Sequence, residues 1–172
     1  MSNYYTTTLM NIWRLIPFHE PEHQLEMAEW SRRNGFIAIG WGGAGDLHKR
    51  HVGNEEEMKR LVKSTHPGFS TSSWVNGGCS LWRLYHEMKQ DDLVIITAKG
   101  RRTLTMRVSG DYYYFDGDSK NPYPNRRKAE AVPIDAEHLW QFTGGMASGE
   151  NIRRTLIHCG RSLSDADFKA FR

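Results

Sequence analysis

The chain has 172 residues and a mass of 19.9 kDa, with a formal net charge of +3 and a mean hydropathy of −0.66. This length suits one domain with a hydrophobic core, and no apolar run approaches the ~20 residues of a membrane helix, which excludes a membrane-spanning protein. No secretory signal is recognisable, and Cys79 and Cys159 lack metal-ligand spacing. We therefore expect a cytoplasmic protein with reduced thiols.

Taken in chain order, the first half of the sequence alternates between strand and helix patterns. A loose N-terminal segment of residues 1–10 comes first. We predict strands over residues 11–16 and 36–41, and helices over residues 22–33 and 54–63. Asn54 is a suitable N-cap for the second helix, because acids follow it in the first turn and bases lie near the end.

The second half predicts mainly short strands. We expect a loop over 66–78, a short helix over 80–88, strands over 92–98, 103–108, 112–115 and 126–134, and helical segments over 134–142 and 148–158, followed by a polar amphipathic tail over 162–171. Short strands interrupted by a few helices predict an α+β fold with a mixed sheet bent into a barrel. The predicted domain covers residues 11–145, and residues 146–172 are predicted to be a helical C-terminal extension.

The most informative motif is at residues 37–47, which read Ile-Ala-Ile-Gly-Trp-Gly-Gly-Ala-Gly-Asp-Leu. An apolar strand ends at Trp41, and a glycine-rich turn and Asp46 follow. Glycines let the backbone turn sharply and let a ligand come close, and a flat aromatic beside such a turn suits stacking of a planar ring. Trp41 is therefore predicted to line a pocket. Asp46 either accepts a hydrogen bond from an exocyclic amine or only caps the turn.

Three basic clusters lie among tyrosines and tryptophans, and together they favour binding to nucleic acid. Each cluster taken alone is better explained as a solvated loop, because runs of charge usually lie at the surface. The predicted contacts to the nucleic-acid backbone are Lys49, Arg50, Lys99, Arg101, Arg102, Lys120, Arg126, Arg127 and Lys128.

Four segments resemble the EVE branch of the PUA-like superfamily, which is related to the YTH domain. They are Trp-Arg-Leu-Ile at 13–16, the motif at 37–47, the run Asn-Gly-Gly-Cys-Ser-Leu-Trp that opens 76–94, and the aromatic and basic residues of 107–128. In order and spacing they are similar to the modified-base-reading domains of modification-dependent restriction enzymes, over residues 11–140. Cys79 and Asp91 depart from the usual pattern of the family.

The resemblance implies a PUA-like bent sheet closed as a barrel, a basic rim and a pocket for a flipped base. Extruding a base costs a few kcal/mol, and stacking returns about 1–3 kcal/mol per base. The expected pocket residues are Trp41, Asp46, Asn76, Trp82, Tyr112, Tyr113 and Tyr114. Trp82 fits the core or the pocket rim, Asn76 reads a base edge or belongs to a turn, and one of the tyrosines belongs to the core.

These patterns predict a binding module rather than an enzyme, with no cofactor and no metal. Asp92 and Lys99 faintly match a nuclease core, but Thr97 stands where a second metal-binding acid is needed. The expected partner is double-stranded DNA that carries methylated or hydroxymethylated cytosine or N6-methyladenine. The protein is expected to recognise this DNA for a nuclease that is fused to it or associated with it. A reader of modified or structured RNA and a small hydrolytic enzyme are the alternatives.

Overall fold

The architecture is a mixed β-sheet with helices on both faces. The computed structural model describes residues 8–171. Six strands form the main sheet: β2 (Ile12–Leu15), β3 (Phe36–Ile39), β4 (Leu93–Ala98), β5 (Arg101–Tyr114), β6 (Asn125–Ala131) and β7 (Leu156–His158). Their order is β3-β6-β5-β4-β2-β7; β2 and β4 run parallel, and the other neighbours run antiparallel. Two short strands, β1 (Leu9–Met10) and β8 (Leu163–Ser164), pair separately.

The helices are α1 (Gln24–Asn34), α2 (Glu55–Thr65), α3 (Thr71–Trp82), α4 (Ala136–Thr143) and α5 (Asp165–Ala170), and a π-helical turn, Arg83–Glu87, continues α3. Within residues 8–171, no helix is both long enough and apolar enough to cross a bilayer.

The predicted α+β class with a mixed sheet is confirmed, but the sheet is open. Strands β3 and β7 are its two edges, and no pairing within residues 8–171 joins them to close a barrel. Each of these edge strands is hydrogen-bonded along one side, β3 to β6 and β7 to β2. The segments beside their other sides are not strands of this sheet.

Strand alternation divides the hydrophobic core between the two faces of the sheet. In β2, Trp13 and Leu15 point to the face that α2 and α3 cover, together with Met58 and Leu81. Ile12 points to the opposite face, where α4 packs. Alternate residues of a strand point to opposite sides, so Arg14 is placed on the face of Ile12.

The loop predicted over residues 66–78 is wrong for its second half, which forms α3. Ser70 caps this helix, because its side chain accepts a hydrogen bond from the Ser73 amide. Gly77 and Gly78 suggested a turn, yet both lie inside the helix. A Cβ at Gly78 would come within 2.5 Å of the Lys59 Cα, so this glycine permits the close packing of α3 against α2.

The C-terminal part of the chain also differs from the prediction. Residues 148–158 are not helical: they form turns and then β7, which pairs with β2 inside the main sheet. Residues 146–172 are therefore not a separate helical extension as far as Phe171, the last residue described. Of the predicted loose segment 1–10, residues 1–7 lie outside the described part, and Leu9–Met10 form β1.

Candidate functional site

An aromatic cavity lies where β3 ends. Its volume is about 320 Å³, which falls at the small end of the ~300–1,000 Å³ typical of ligand pockets. We call it the Trp41 cavity; its lining residues are His19, Gly40, Trp41, His66, Phe69, Tyr123 and Thr155. The structure thus places the predicted wall residue Trp41 at a cavity.

Trp41 is held in an unusual backbone conformation. Its φ of 62° lies in the left-handed region, which costs a residue with a side chain on the order of 1–3 kcal/mol. The next residues, Gly42–Ala44, form a short 3-10 turn. Strain of this kind is typical of functional sites.

The Trp41 indole fits against helix α3 because residue 77 is glycine. A Cβ at Gly77 would come within 2.4 Å of the Trp41 Cε2 atom. The ring of Phe69 lies 5.0 Å from the Trp41 ring at 61°, and the ring of His66 also lies 5.0 Å away, at 84°. Two edge-on aromatic neighbours and a glycine surface therefore fix the orientation of the indole.

Tyr123 forms another wall of the cavity. A Cβ at Gly40 would lie 3.1 Å from the Tyr123 ring, so the backbone and the ring are in close contact. The Tyr123 hydroxyl accepts a hydrogen bond from the His19 amide at 3.0 Å and lies 2.7 Å from His19 Nδ1. Burial raises the pKa of Tyr123 to about 12, so the phenol is protonated at neutral pH.

A buried arginine positions the loop that carries Tyr123. Arg126 Nε donates to the Tyr123 carbonyl oxygen at 2.9 Å, and Nη2 donates to the Asn121 carbonyl at 2.9 Å and to Asp118 at 3.0 Å. Burial opposes the ionisation of Asp118, yet hydrogen bonds from Trp30, Asn121 and other donors lower its pKa to about 2. The ion pair between Arg126 and Asp118 therefore persists across the physiological pH range.

This finding corrects the prediction for two of the basic residues. Arg126 and Arg127 are only 2% and 6% exposed. Arg127 Nε donates to the Leu84 carbonyl at 2.6 Å, and Nη1 donates to the Gly110 carbonyl at 3.2 Å. The alternation of buried and exposed side chains is interrupted on β6, because these two consecutive arginines are both buried. Both guanidinium groups donate to acceptors inside the protein and therefore stabilise the fold. They are not placed to contact phosphates.

The other predicted backbone contacts lie at the surface to different degrees. Lys49, Arg50, Lys99, Arg101, Lys120 and Lys128 are exposed, and Arg102 is half-buried. Lys120 is engaged with Glu26 at 2.6 Å, and the Arg50 Nε donates to the Ala44 carbonyl at 2.6 Å. Lys49 and Arg50 follow Trp41 closely in sequence, which makes them the exposed basic pair nearest to that wall along the chain.

The three consecutive tyrosines do not line the Trp41 cavity. Tyr112 belongs to the core: it is 4% exposed, its hydroxyl donates to Asn125 at 2.8 Å, and burial raises its pKa well above the ordinary value. Tyr113 lines a separate open depression with Trp30 and Phe115. Tyr114 packs against the core. The expectation that one tyrosine belongs to the core is confirmed, but the opposite wall comes from Tyr123 and Phe69 instead.

The remaining predicted pocket residues are not among the residues that line the Trp41 cavity either. Trp82 is in the core, 8% exposed, and stacks on His86 with ring centroids 4.3 Å apart. Asn76 accepts a hydrogen bond from Arg154 at 3.1 Å. Asp46 caps a short turn by accepting from the His48 amide at 3.1 Å. For Asp46, the geometry favours the simpler of the two interpretations.

Sequence reasoning missed Phe69, Tyr123, His19 and His66 as cavity residues. Tyr123 stands between prolines in a loop rich in turn residues, and Phe69 follows Pro67-Gly68. An aromatic side chain in a Pro/Gly loop has no strand or helix face to bury it, which was the available signal. Phe69 is 53% exposed in the structure, which agrees with that signal.

Asp92, the acid that faintly matches a nuclease core, has structural partners. Asp92 is 3% exposed and accepts hydrogen bonds from the Trp13 indole at 2.9 Å and from the Asn11 and Lys89 amides at 3.0 Å. Burial raises the pKa of Cys79 to about 11 and that of Cys159 to about 12, so neither is a ready nucleophile. One group able to offer ligand atoms to a metal is Glu20, Glu22 and His23, at the surface.

The fold and the cavity together define an α+β protein with an open mixed sheet and an aromatic pocket at a strand end. A family model described as a domain of unknown function, DUF8426, matches residues 13–131. The chain belongs to this family. The match ends with β6, so it includes Trp41, Phe69 and Tyr123. A comparison with curated proteins gives no match for this chain.

Proposed function

We propose that this protein is a nucleic-acid-binding module that recognises a modified base in double-stranded DNA by accepting the flipped base in the Trp41 cavity. The base would be methylated or hydroxymethylated cytosine, or N6-methyladenine. The observation that carries the proposal is the enclosure of one cavity by three aromatic side chains, Trp41, Phe69 and Tyr123.

The cavity walls offer the two kinds of contact that a base reader needs. Trp41 and Tyr123 present planar surfaces, and stacking on such surfaces contributes about 1–3 kcal/mol per base. His19, His66 and Thr155 bring polar atoms to the same cavity, where a base edge needs hydrogen-bond partners. A small apolar substituent on the base would pack against Phe69, whose ring is half open to solvent.

The resemblance of the sequence to EVE domains supports the same function. The proposed fold is the PUA-like form of the bent mixed sheet, and the proposed role is the specificity domain of a modification-dependent restriction system. Gly40 and Trp41 belong to the segment that carries the resemblance, and both line the cavity. Lys49 and Arg50, exposed on the following turn, are proposed to contact the DNA backbone.

The lining also favours binding over catalysis. None of the lining residues has a carboxylate or thiol side chain. The Tyr123 phenol, whose pKa is raised to about 12, is a poor base or nucleophile at neutral pH. We propose that any DNA cleavage belongs to a fused or associated nuclease.

The test measures binding of the chain to matched duplexes that carry 5-methylcytosine, 5-hydroxymethylcytosine, N6-methyladenine or no modification. Trp41→Ala is expected to weaken binding to the preferred modified duplex by about 1–3 kcal/mol and to leave the fold intact. Phe69→Ala should weaken it in the same direction. Phe115→Ala is the matched control, because Phe115 is similarly exposed at 46% but does not line the cavity.

Equal affinity for modified and unmodified duplexes would contradict the proposal, as would an unchanged affinity in both Trp41→Ala and Phe69→Ala. Matched RNA probes with and without modified bases test the alternative partner. Tighter binding to the RNA set would move the function to RNA recognition. Incubation of saturated complexes with Mg²⁺ or Mn²⁺ should leave the strands intact, and cleavage that is lost in Asp92→Asn would restore the nuclease interpretation.

A further inference from the structure

A second cavity contains a buried arginine that has no acidic partner among residues 8–171. This cavity has a volume of about 510 Å³, and we call it the Arg14 cavity. The side chains that matter are Arg14, Thr97, Lys99, Arg102, Trp140 and Ile152. They come from β2, the β4–β5 hairpin, α4 and the turn region before β7, so the tertiary fold alone brings them together.

Arg14 is 3% exposed, yet no carboxylate within residues 8–171 lies within ion-pair distance of it. Its Nη2 donates to the Ile152 carbonyl at 2.8 Å. Its Nε is buried and has no hydrogen-bond partner in the described part of the chain. An isolated buried charge costs several kcal/mol unless something pairs with it, so an anion beside this arginine would be stabilised.

Thr97, Lys99 and Arg102 also line the Arg14 cavity. The Thr97 hydroxyl is also buried without a partner among the described residues. Lys99 is exposed at the hairpin tip, and Arg102 stands 4.6 Å above the Trp140 ring. Among the described residues, the acid paired with these cations is Glu137, 3.7 Å from Arg102 and about half exposed. Burial lowers the pKa of Arg14 to about 10, and the nearby Arg102 acts in the same direction, whereas Cys159 and Glu150 act against it.

We propose that the Arg14 cavity is a second binding site and that its ligand is a phosphate monoester whose organic part packs on Trp140 and Ile152. Arg14, Lys99 and Arg102 give three positive charges against one exposed carboxylate, which suits a dianion better than a single carboxylate. A free hydroxyl at Thr97 adds a donor for a phosphate oxygen. The apolar wall distinguishes this ligand from inorganic phosphate.

The two cavities are separate, although one segment touches both. Ile152 lines the Arg14 cavity, whereas Thr155 lines the Trp41 cavity. The Ile16 amide, beside the Arg14 cavity, donates to the Thr155 carbonyl at 2.9 Å. The proposal is therefore independent of modified-base recognition, and it would stand if the Trp41 cavity failed to bind DNA.

The experiment titrates the full chain with inorganic phosphate, adenosine 5′-monophosphate, a carboxylate of similar size such as benzoate, and a short oligonucleotide with either a 5′-phosphate or a 5′-hydroxyl. Binding is followed by calorimetry and by NMR of the arginine Nε–H groups. The monophosphate should bind more tightly than phosphate or benzoate and should shift the Arg14 Nε–H signal. Preference for the free nucleotide or for the 5′-phosphorylated strand identifies the source of the monoester.

Lys99→Gln and Arg102→Gln should each weaken binding of the monophosphate by about tenfold, and together they should abolish it. Arg101→Gln is the matched control, because Arg101 is exposed on the same hairpin but does not line the cavity. Arg101→Gln should leave the affinity unchanged, and so should Trp41→Ala.

Several results would overturn the proposal. One is no binding of either monophosphate at millimolar concentration, which would leave Arg14 as an anchor for Ile152 only. Another is an equal loss in Arg101→Gln, which would indicate general attraction by surface charge. A third is loss of binding in Trp41→Ala, which would assign the ligand to the other cavity. Equal binding of the 5′-hydroxyl strand would show that the cavity binds backbone phosphates rather than a phosphate monoester.

Discussion

The two buried arginines Arg126 and Arg14 lie in opposite environments. Arg126 is 2% exposed and has a carboxylate, Asp118, and two carbonyl oxygens within hydrogen-bond distance. Its guanidinium also stacks on Phe36, 4.0 Å from the ring centroid. Arg14 is 3% exposed and has a hydrogen bond to one carbonyl, while its Nε lacks a partner among the described residues.

The difference separates a structural arginine from one that is available to a ligand. A buried guanidinium whose hydrogen-bond donors are satisfied inside the protein has no capacity left for an outside anion. A buried guanidinium with an unsatisfied donor, such as the Arg14 Nε among the described residues, keeps that capacity, and the cavity beside Arg14 gives an anion the space. Sequence position would suggest the reverse, because Arg126 belongs to an obvious basic cluster and Arg14 stands alone in an apolar strand.

The largest predicted effect is the loss of stability when Arg126 is replaced. Arg126→Met leaves the Asp118 carboxylate buried without its guanidinium, and we expect a loss of about 3–5 kcal/mol in the free energy of unfolding. Arg14→Met leaves no carboxylate unpaired and removes one hydrogen bond, so its expected cost is about 1 kcal/mol. Urea unfolding of both variants measures the difference.

Lys128→Met is the control for this pair, because Lys128 is exposed on the same strand as Arg126 and its loss should change stability by no more than about 0.5 kcal/mol. If Arg14→Met proved as costly as Arg126→Met, the distinction between a structural and an available arginine would be wrong.

The next effect concerns how rigidly the aromatic cavity is built. Gly77→Ala would favour helix by about 1 kcal/mol on propensity alone, but its Cβ would come within 2.4 Å of the Trp41 indole. Overpacking should dominate, with a net loss of about 1–2 kcal/mol and a displaced Trp41. Thermal unfolding and the NMR signal of the Trp41 indole measure both effects.

Gly68→Ala provides the comparison for Gly77→Ala, since no neighbouring heavy atom lies within 4 Å of a Cβ there and its φ lies outside the left-handed region. Its stability and its tryptophan signals should match those of the parent chain. An unchanged indole signal in Gly77→Ala would mean that the ring adapts freely, and the cavity would then not be preformed.

The smallest effect tests the Tyr123 wall. Tyr123→Phe removes the hydroxyl that accepts from the His19 amide, and we expect a loss of about 0.5–1.5 kcal/mol at neutral pH. Because the folded-state pKa of about 12 lies above the ordinary value of 10, the neutral phenol favours the folded state below pH 10. That contribution should be lost as the pH rises from 10 towards 12.

Urea titrations of the parent chain and of Tyr123→Phe at several pH values test this expectation. The stability of the parent should fall more steeply than that of the variant between pH 10 and 12. Parallel curves would show that the environment of Tyr123 does not disfavour its ionised form.

Local signals were sufficient for much of the fold. The strand before Trp41 and the capped helix that begins at Glu55 are both encoded in short local runs. Both are present, although the strand ends at Ile39 rather than at residue 41 and the helix continues to Thr65 rather than ending at residue 63. The place of Trp41 at the end of a buried strand was predictable for the same reason, since alternation and a glycine turn are local properties.

Tertiary structure decided which side chains share a cavity and which charges are buried. Tyr123 lines the same cavity as Trp41 because Arg126 positions the loop that carries Tyr123. Arg14 lines the same cavity as Lys99 and Arg102 because β2 and β4 are neighbours in the sheet. These contacts join residues far apart in the chain, which no local pattern encodes. Residues 156–158 likewise became a strand because β2 offered an open edge, and pairing at that edge outweighed the helical pattern of the preceding segment.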